Sequence, residues 1–327
     1  MIYKCKNCGS NAVYNAEKGR MICPNCLSED SGEVVEAQDM AKCVMCGADL
    51  ELKDYESALK CSHCGTWQIV SERIVGDFKP HLLIPFRVGK ERATEILRKE
   101  FKSRMFTPKD FLSESSLEEL QGSYVPFWLF DYDGEYDYEA VGTKIRTWRS
   151  GDTEYTETSR YRIVRELSMD FERIPADASL VMEDSVMDLM EPYEYKELTE
   201  FDPFFLSGFN SEVYNDEADK FEPRAKGKAR NAAEECLQST VSGYTTVNSV
   251  KKELRLNLKD TNYALFPVWI YTYRFRGKNY KFYINGQTGK VVGKSPVSIG
   301  SVAAVAVSLF ASVAATAGLL MHLLELL

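Results

Sequence analysis

Four CxxC pairs fall within the first 64 residues, in two copies of one spacing. Cys5-Cys8 and Cys23-Cys26 enclose 14 residues, Cys43-Cys46 and Cys61-Cys64 enclose 14 again, and each cysteine of the first set recurs 38 positions later. Units this short cannot bury enough apolar surface to fold alone. Two CxxC turns separated by a short loop are the ligand spacing of a four-cysteine zinc ribbon, because zinc is tetrahedral, favours thiolate sulfur and takes two sulfurs from each turn. Gly9, Gly47 and Gly65 directly follow a second cysteine, and Pro24 lies within a pair. Glycine there lets backbone amides approach the sulfurs. The spacing predicts two zinc ions, one held by Cys5, Cys8, Cys23 and Cys26, the other by Cys43, Cys46, Cys61 and Cys64.

Disulfides would need an oxidising compartment, and Met1-Ile2-Tyr3-Lys4 is not the opening of a secretory signal. A redox CxxC normally follows a strand in a βαβ unit, and no such pattern surrounds these pairs. His63 lies inside a knuckle that already has its four cysteines and reads as a bystander. Cys236 has no cysteine nearby, sits in a helical pattern beside Leu237, and reads as a small core residue.

At the other end, Val297 to Leu324 holds 28 residues without Asp, Glu, Lys or Arg. About 20 apolar residues span a bilayer as a helix, and a helix apolar on every face would otherwise need a large protein around it. We read residues 297–324 as a single transmembrane helix, which makes the chain a tail-anchored protein. Between Lys220 and Pro296 there are 15 Lys/Arg and 5 Asp/Glu, and Arg274, Arg276, Lys278, Lys281, Lys290 and Lys294 approach the span. Beyond the span the only charged residue is Glu325. Basic flanks stay in the cytoplasm, so the N-terminal body is expected on the cytoplasmic side of the cell membrane, in a reducing compartment that suits zinc thiolates. Gly300, Ala304, Ser308, Ser312 and Thr316 recur every four residues on one ridge of this helix. Small residues let two helix backbones approach and the hydroxyls can bond across them, which suggests packing with another copy or a membrane partner. Ala303, Ala311 and Ala315 form a neighbouring small row, as expected of any alanine-rich span.

The net charge is −9, and it is uneven. Residues 131–200 carry 19 acids and 8 bases, the reverse of the segment before the span. Either the two stretches pair within one domain, or the basic one faces anionic headgroups, where each charge contributes about 1 kcal/mol.

Residues 78–295 read as one mainly antiparallel α+β domain, after ribbons at 1–35 and 39–72. A strand is expected over His81–Val88 and an amphipathic helix over Lys90–Met105. Strands are expected over Tyr124–Ala140, Lys144–Trp148 and Tyr155–Phe171, with a turn at Arg149-Ser150-Gly151-Asp152. A short helix follows at Glu183–Met190, then a longer one at Pro223–Thr240 with the proline near its first turn. Val247–Leu258 and Tyr263–Phe275 read as strands. Tyr280–Ile284 and Lys290–Val292 form a hairpin. Val125-Pro126-Phe127-Trp128-Leu129 is echoed by Phe266-Pro267-Val268-Trp269-Ile270, 141 residues later. Either two related halves make up the domain or the match is coincidental. Trp128 and Trp269 read as core aromatics. Asp131, Asp133, Glu135, Asp137 and Glu139 alternate with aromatics and so share one strand face; a solvated face accounts for them more simply than a metal or catalytic site.

Catalytic signatures are missing. No GxxxxGK[ST] loop occurs, and Gly286-Gln287-Thr288-Gly289-Lys290 is too short for one. No HExxH or GxSxG occurs, and His63, His81 and His322 lie in unrelated contexts. Residues 1–70 hold 7 Lys/Arg and 10 Asp/Glu, and each thiolate-bound zinc adds further negative charge. Phosphate binding is driven by basic residues that displace counterions, so ribbons of this charge suit a protein partner better than nucleic acid.

The chain resembles the bacterial membrane-anchored zinc-ribbon proteins, which carry transcription-factor-B-type zinc-ribbon or primosomal-helicase-like labels. The resemblance rests on the CxxC pairs, on Gly122-Ser123-Tyr124-Val125-Pro126-Phe127-Trp128-Leu129-Phe130-Asp131, on Tyr155-Thr156-Glu157-Thr158-Ser159, on Val241-Ser242-Gly243-Tyr244, on Asn285-Gly286-Gln287-Thr288-Gly289-Lys290 and on the apolar tail. It implies a membrane role beside phage-shock-protein-A-like and flotillin-like partners, and supplies no catalytic residue. The helicase label finds no phosphate loop here, and some members carry only one ribbon. The function expected is a non-enzymatic, tail-anchored scaffold or adaptor of a phage-shock-like membrane-stress complex. The alternatives are a membrane-tethered, replication-associated nucleic-acid binder and, more distantly, an enzyme that uses the acidic strand face.

Overall fold

The computed structural model of the chain describes residues 1–104, 106–108, 120–275 and 277–325. Met105 and Arg276 lie outside the described residues, as does the side chain of His322. The first ribbon contains β1 (Ile2–Lys4), β2 (Val13–Asn15), β3 (Arg20–Ile22) and β4 (Glu33–Val35); the second contains β5 (Glu56–Lys60) and β6 (Trp67–Ile69). There follow β7 (Leu82–Leu83), α1 (Lys90–Ser103), β8 (Gln121–Ser150), β9 (Thr153–Asp177), α2 (Asp184–Met190), β10 (Thr199–Glu200) and β11 (Asn210–Glu212). The chain closes with α3 (Ala218–Thr240), β12 (Thr246–Phe275), β13 (Lys278–Asn285), β14 (Val291–Gly293) and α4 (Ile299–Glu325).

The centre is the antiparallel pair β8 and β12, each 30 residues long. At the usual rise a strand of that length spans about 100 Å. The breaks expected after Ala140 and after Leu258 do not occur. Val141-Gly142-Thr143 continue the β8 ladder, and β12 absorbs its irregularities as register shifts at Ser249/Lys251 and Leu258/Asp260. The strand expected over His81–Val88 shrinks to β7, because Pro85 cannot donate to a ladder and the N–H groups of Arg87 and Val88 both bond to Gly286 O. Pro223 lies inside α3, beyond the first turn where it was expected, since the helix already starts at Ala218.

Val125 of β8 pairs directly with Phe266 of β12. These are equivalent positions of the repeated motif, so the two copies cross at a local two-fold point. Each half runs helix, long strand, antiparallel strand: α1–β8–β9 and α3–β12–β13. Both helices lie against the same apolar cluster, through Ala93, Leu97 and Phe101 of α1 and through Ala225 and Ala229 of α3. Trp128 and Trp269 are buried, and their Nε1 atoms donate to Asp216 O and Val88 O at 3.2 and 2.8 Å.

Beyond Phe130 the strands β9, β8 and β12 run on as a three-stranded arm. One face takes Tyr132, Gly134, Tyr136, Tyr138 and Ala140 beneath α3. The buried stripe of α3 is Ala225, Ala229, Ala233 and Leu237, at four-residue steps. Cys236 therefore falls on the flank and is exposed, which corrects its reading as a core residue. Arg165 donates to Thr240 O at 2.9 Å and so satisfies the C-terminus of α3.

The other face of the arm carries the alternating acids. Lys259 lies 3.0 Å from Asp133 and 3.2 Å from Asp170, and Arg255 lies 3.2 Å from both Glu135 and Asp137. Arg162 meets Glu139 at 3.1 Å. Exposed pairs contribute little individually, but together they neutralise the row. The acidic segment is thus matched by bases of the segment that follows it, as also at Arg224, which pairs with Asp177, Asp184 and Asp188.

The ribbons are built into this frame. β11 runs parallel to β8 and antiparallel to β5, so the β5–β6 hairpin extends the main sheet. Tyr14 of the first ribbon packs edge-on to Phe205 at 5.1 Å, and Ser207 Oγ donates to Ala12 O at 2.7 Å. The ribbons also touch each other: Ile69 N donates to Met1 O at 2.9 Å, and Trp67 N to Asn11 Oδ1 at 3.0 Å.

Glu212 of β11 is buried opposite Glu56 and accepts a 2.7 Å hydrogen bond from Ser179 Oγ. Burial pushes its carboxyl up to about 7 from 4.5. A folded-state pKa above the unfolded one gives stability that is complete below about 4.5 and lost as pH rises through about 7. Glu212→Gln keeps the acceptor for Ser179 and removes the titration. The variant should be more stable than wild type above neutrality and should flatten the slope between those pH values, as read from urea midpoints across pH.

Candidate metal centres

Each CxxC pair sits in a knuckle of the same backbone form. The N–H of the first cysteine bonds to the carbonyl five residues on, as from Cys5 to Ser10 at 2.7 Å and Cys61 to Thr66 at 2.8 Å. The carbonyl of the first cysteine accepts from the residue four on, which has positive φ: Gly9, Gly47 and Gly65, and in the Cys23 knuckle Leu27 at φ 62°. The glycines noted in the sequence are thus required by the turn. The first cysteine of every pair, Cys5, Cys23, Cys43 and Cys61, is buried, and the second lies toward the surface.

The fold brings each predicted set of four together. Cys5, Cys8, Cys23 and Cys26 have their sulfurs within 4.8 Å of one another, as do Cys43, Cys46, Cys61 and Cys64. Cys5–Cys26 is 3.7 Å, Cys8–Cys23 3.4 Å, Cys43–Cys64 3.6 Å and Cys46–Cys61 3.9 Å. A tetrahedron of 2.3 Å zinc–sulfur bonds has edges of about 3.8 Å. The two clusters fit two zinc ions, one per ribbon. His63 is exposed outside the second cluster, as the sequence suggested.

The electrostatics of the clusters also call for a cation. Burial pushes the Cys23 thiol up to about 11 and that of Cys43 to about 12. The Ser28 hydroxyl and amide bring Cys26 down to about 5. Burial raises Cys64, but hydrogen bonds from Thr66 outweigh it and bring that thiol to about 6. Four thiolates in one cluster are unfavourable without a divalent cation, and zinc binding expels the remaining protons.

Several supporting residues were not singled out from the sequence. Ser28 Oγ lies 3.1 Å from Cys5 Sγ and 3.2 Å from Cys26 Sγ. Thr66 Oγ1 lies 3.3 Å from Cys64 Sγ. Asn25 Nδ2 donates to Cys8 Sγ at 3.6 Å, and buried Gln68 donates to Cys43 Sγ at 3.4 Å. Part of this was legible: the second residue after the knuckle is Ser10, Ser28 or Thr66 in three of the four copies. Gln68 has no such signal, because it reaches its sulfur from the strand β6.

A cavity of ≈650 Å³ lies where the two ribbons meet the body, walled by Tyr14, Glu17, Lys53, Trp67, Glu91 and Trp269. At the other end of the chain, Ile299–Met321 is long and apolar enough to cross a membrane, and none of it is buried against the body. Gly300, Ala304, Ser308, Ser312 and Thr316 are all exposed on it. Ser312 Oγ and Thr316 Oγ1 donate to carbonyls of their own helix, Ser308 O and Ser312 O, at 2.8 and 3.1 Å.

Residues 1–29 match a zinc ribbon domain family. The uncharacterized protein YdjG of Bacillus subtilis (strain 168) is 36% identical over 316 residues, which cover 92% of this chain and 92% of that protein. The chain belongs to the same family as YdjG. No solved structure matches it. The similarity to YdjG covers far more than the ribbon, so the family is defined by the body as well as by the metal sites.

Metal analysis of freshly purified, unchelated protein should give two zinc ions per chain, and Cys8→Ser should leave one. Outer-sphere partners of a metal ligand typically hold 10- to 100-fold in affinity. Gln68→Leu should therefore weaken the second zinc by about that factor in a chelator competition and leave the first unchanged.

Proposed function

We propose that the chain is a non-enzymatic scaffold held at the cell membrane by α4, with its zinc-bearing body in the cytoplasm. The observation that carries this reading is α4, a 23-residue apolar stretch with no protein surface covering it. An exposed apolar surface of this size marks a site for lipid or protein, and its length matches a bilayer core. The excess of bases on the body side favours cytoplasmic orientation.

The metal centres support a structural role. All four positions on each ion are filled by protein thiolates, whereas catalytic zinc keeps one position open. The acidic face of the arm is occupied by ion pairs. Recruitment of protein partners then falls to the exposed surfaces: the outer knuckles, the cavity between the ribbons, and the arm. The resemblance to membrane partners of phage-shock systems suggests phage-shock-protein-A-like and flotillin-like proteins as those partners. The small ridge of α4 offers a route to self-association.

One observation favours nucleic acid as a second reading. At the arm tip Trp148 stacks on Tyr155 at 5.6 Å and Arg146 lies 5.7 Å from the Trp148 ring, an arrangement on which bases can stack. The charge of the ribbons argues against it.

Affinity purification of the full chain from bacterial membranes in mild detergent separates these readings. Membrane coat proteins should co-purify, together with tagged and untagged copies of the chain. Ala304→Leu with Ser308→Leu should reduce self-association while the protein stays resistant to alkaline extraction. Recovery of replication proteins with nuclease-sensitive binding, in place of coat proteins, would overturn the scaffold reading.

A further inference from the structure

The bases of the Lys220–Pro296 segment divide by position. Those on α3 and on the arm are largely neutralised: Lys220, Arg224, Lys226, Lys228, Lys251, Lys252, Arg255 and Lys259 each pair with a carboxylate. Arg230, on the exposed side of α3, is the exception among the described residues. Lys290 Nζ donates to Glu191 O. Arg274, Lys278, Lys281 and Lys294 are exposed and have no ion pair among the described residues.

These four surround the place where the chain leaves the body. Phe275 pairs with Lys278 at the end of the β12–β13 hairpin, and Thr272 pairs with Lys281. Phe282 pairs with Gly293 of β14, so Lys281 and Lys294 are the next residues along that edge, five residues before α4 begins. The C-terminal turn of α1 closes the group. Arg104 donates to Gly293 O at 3.0 Å, Phe106 O accepts from Ser298 N at 2.7 Å, and Phe101 packs edge-on to Phe282 at 4.6 Å. Lys99 and Lys102 on the exposed side of that helix also have no ion pair among the described residues. Exposed Phe106 and Val297 lie among the cations, a mixture of apolar and basic groups suited to a headgroup layer.

We propose that this end of the body, carrying Lys99, Lys102, Arg274, Lys278, Lys281 and Lys294, is a docking surface for anionic phospholipid headgroups. It seats the body on the bilayer that α4 enters, and it rests on the reading of α4 as a membrane span. The same physical account explains both halves of the division. A base that serves the fold is matched by a carboxylate of the fold, and a group of bases left unmatched beside an apolar helix finds its counterions in the lipid. Each such cation favours contact with an anionic surface by about fivefold, and the attraction falls off with salt within a Debye length.

The test uses the full chain reconstituted in vesicles of phosphatidylcholine alone or of phosphatidylcholine with phosphatidylglycerol. Lysine labelling by a water-soluble amine reagent is read residue by residue by mass spectrometry. In anionic vesicles Lys278, Lys281 and Lys294 should react about fivefold more slowly than in neutral ones, with the difference lost at high salt and Lys6 and Lys18 unaffected. Lys278→Glu with Lys281→Glu should abolish the lipid-dependent protection of Lys294 while alkaline-resistant insertion persists. Equal labelling of the wild type in both lipids, with insertion intact, would overturn the headgroup surface and leave the anchor standing. Lipid-dependent protection in a protein that alkali extracts would overturn the anchor and leave the surface standing as a peripheral site. Loss of both would overturn both. Protection by duplex DNA over neutral vesicles, without a lipid effect, would assign the patch to nucleic acid instead.

Discussion

Everything in this molecule hangs on the pairing of β8 with β12. Their register, set where Val125 meets Phe266, aligns the two copies of the aromatic-proline motif and carries the ladder through to Thr143 and Thr246. On the flanks of the same pair the sheet branches. β11 and β9 take successive stretches of the free edge of β8, and β7 and β13 do the same along β12. β11 brings in the second ribbon, and β13 with β14 leads to α4. A fault in the central register would therefore displace the metal centres, the arm and the exit to the anchor together. Strand register is well specified only where one face is buried, and the row of fully buried aromatics Tyr124, Phe127, Phe130 and Tyr132 along β8 meets that requirement.

The zinc sites gain a different meaning from this arrangement. A ribbon on a flexible tether would confine the 10–16 kcal/mol that a structural zinc supplies to its own knuckles. Here Tyr3, Tyr14 and Met21 of the first ribbon lie in the same apolar cluster as Phe86, Phe209 and Trp269. The metal holds one wall of the body in place. Loss of zinc would uncover aromatic surface on the body, and the folding of the two regions is coupled.

The sequence made the chemistry plain and left the assembly hidden. The eight cysteines and the turn glycines are local signals, since ligand spacing and positive φ depend only on residues a few positions apart. The apolar tail is legible for the same reason. The length of β8 and β12 was not, because Gly142 and Lys259-Asp260 resemble breaks in local terms. Gly142 is instead a packing position: a Cβ there would come within 2.8 Å of both Tyr244 and Ile163. The burial of Cys236 was misjudged because its helix has an alanine stripe, whose phase one neighbouring leucine does not reveal. The fusion of the ribbons to the body rests on β11, three residues contributed from about 150 positions downstream, and no local pattern announces such a contact.

The charge distribution shows how far composition alone can be taken. Net totals over residues 131–200 and 220–296 described two opposed blocks, and two readings stood open. The register decides the matter for the arm, because Lys251, Arg255 and Lys259 lie across β12 from the acids of β8 and at the spacing of the pleat. Such a ladder is a fold-level device. It keeps a broad, single-layer sheet face soluble and blunts it against edge-to-edge pairing. The bases past Phe266 have no acidic strand opposite them. Their neighbours are β7 and β13, where Leu82, Leu83, Phe282 and Ile284 are apolar. The imbalance next to α4 is therefore a consequence of where the acidic hairpin ends. The arm has its charge cancelled along its length, and the end of the body from which α4 departs keeps its bases.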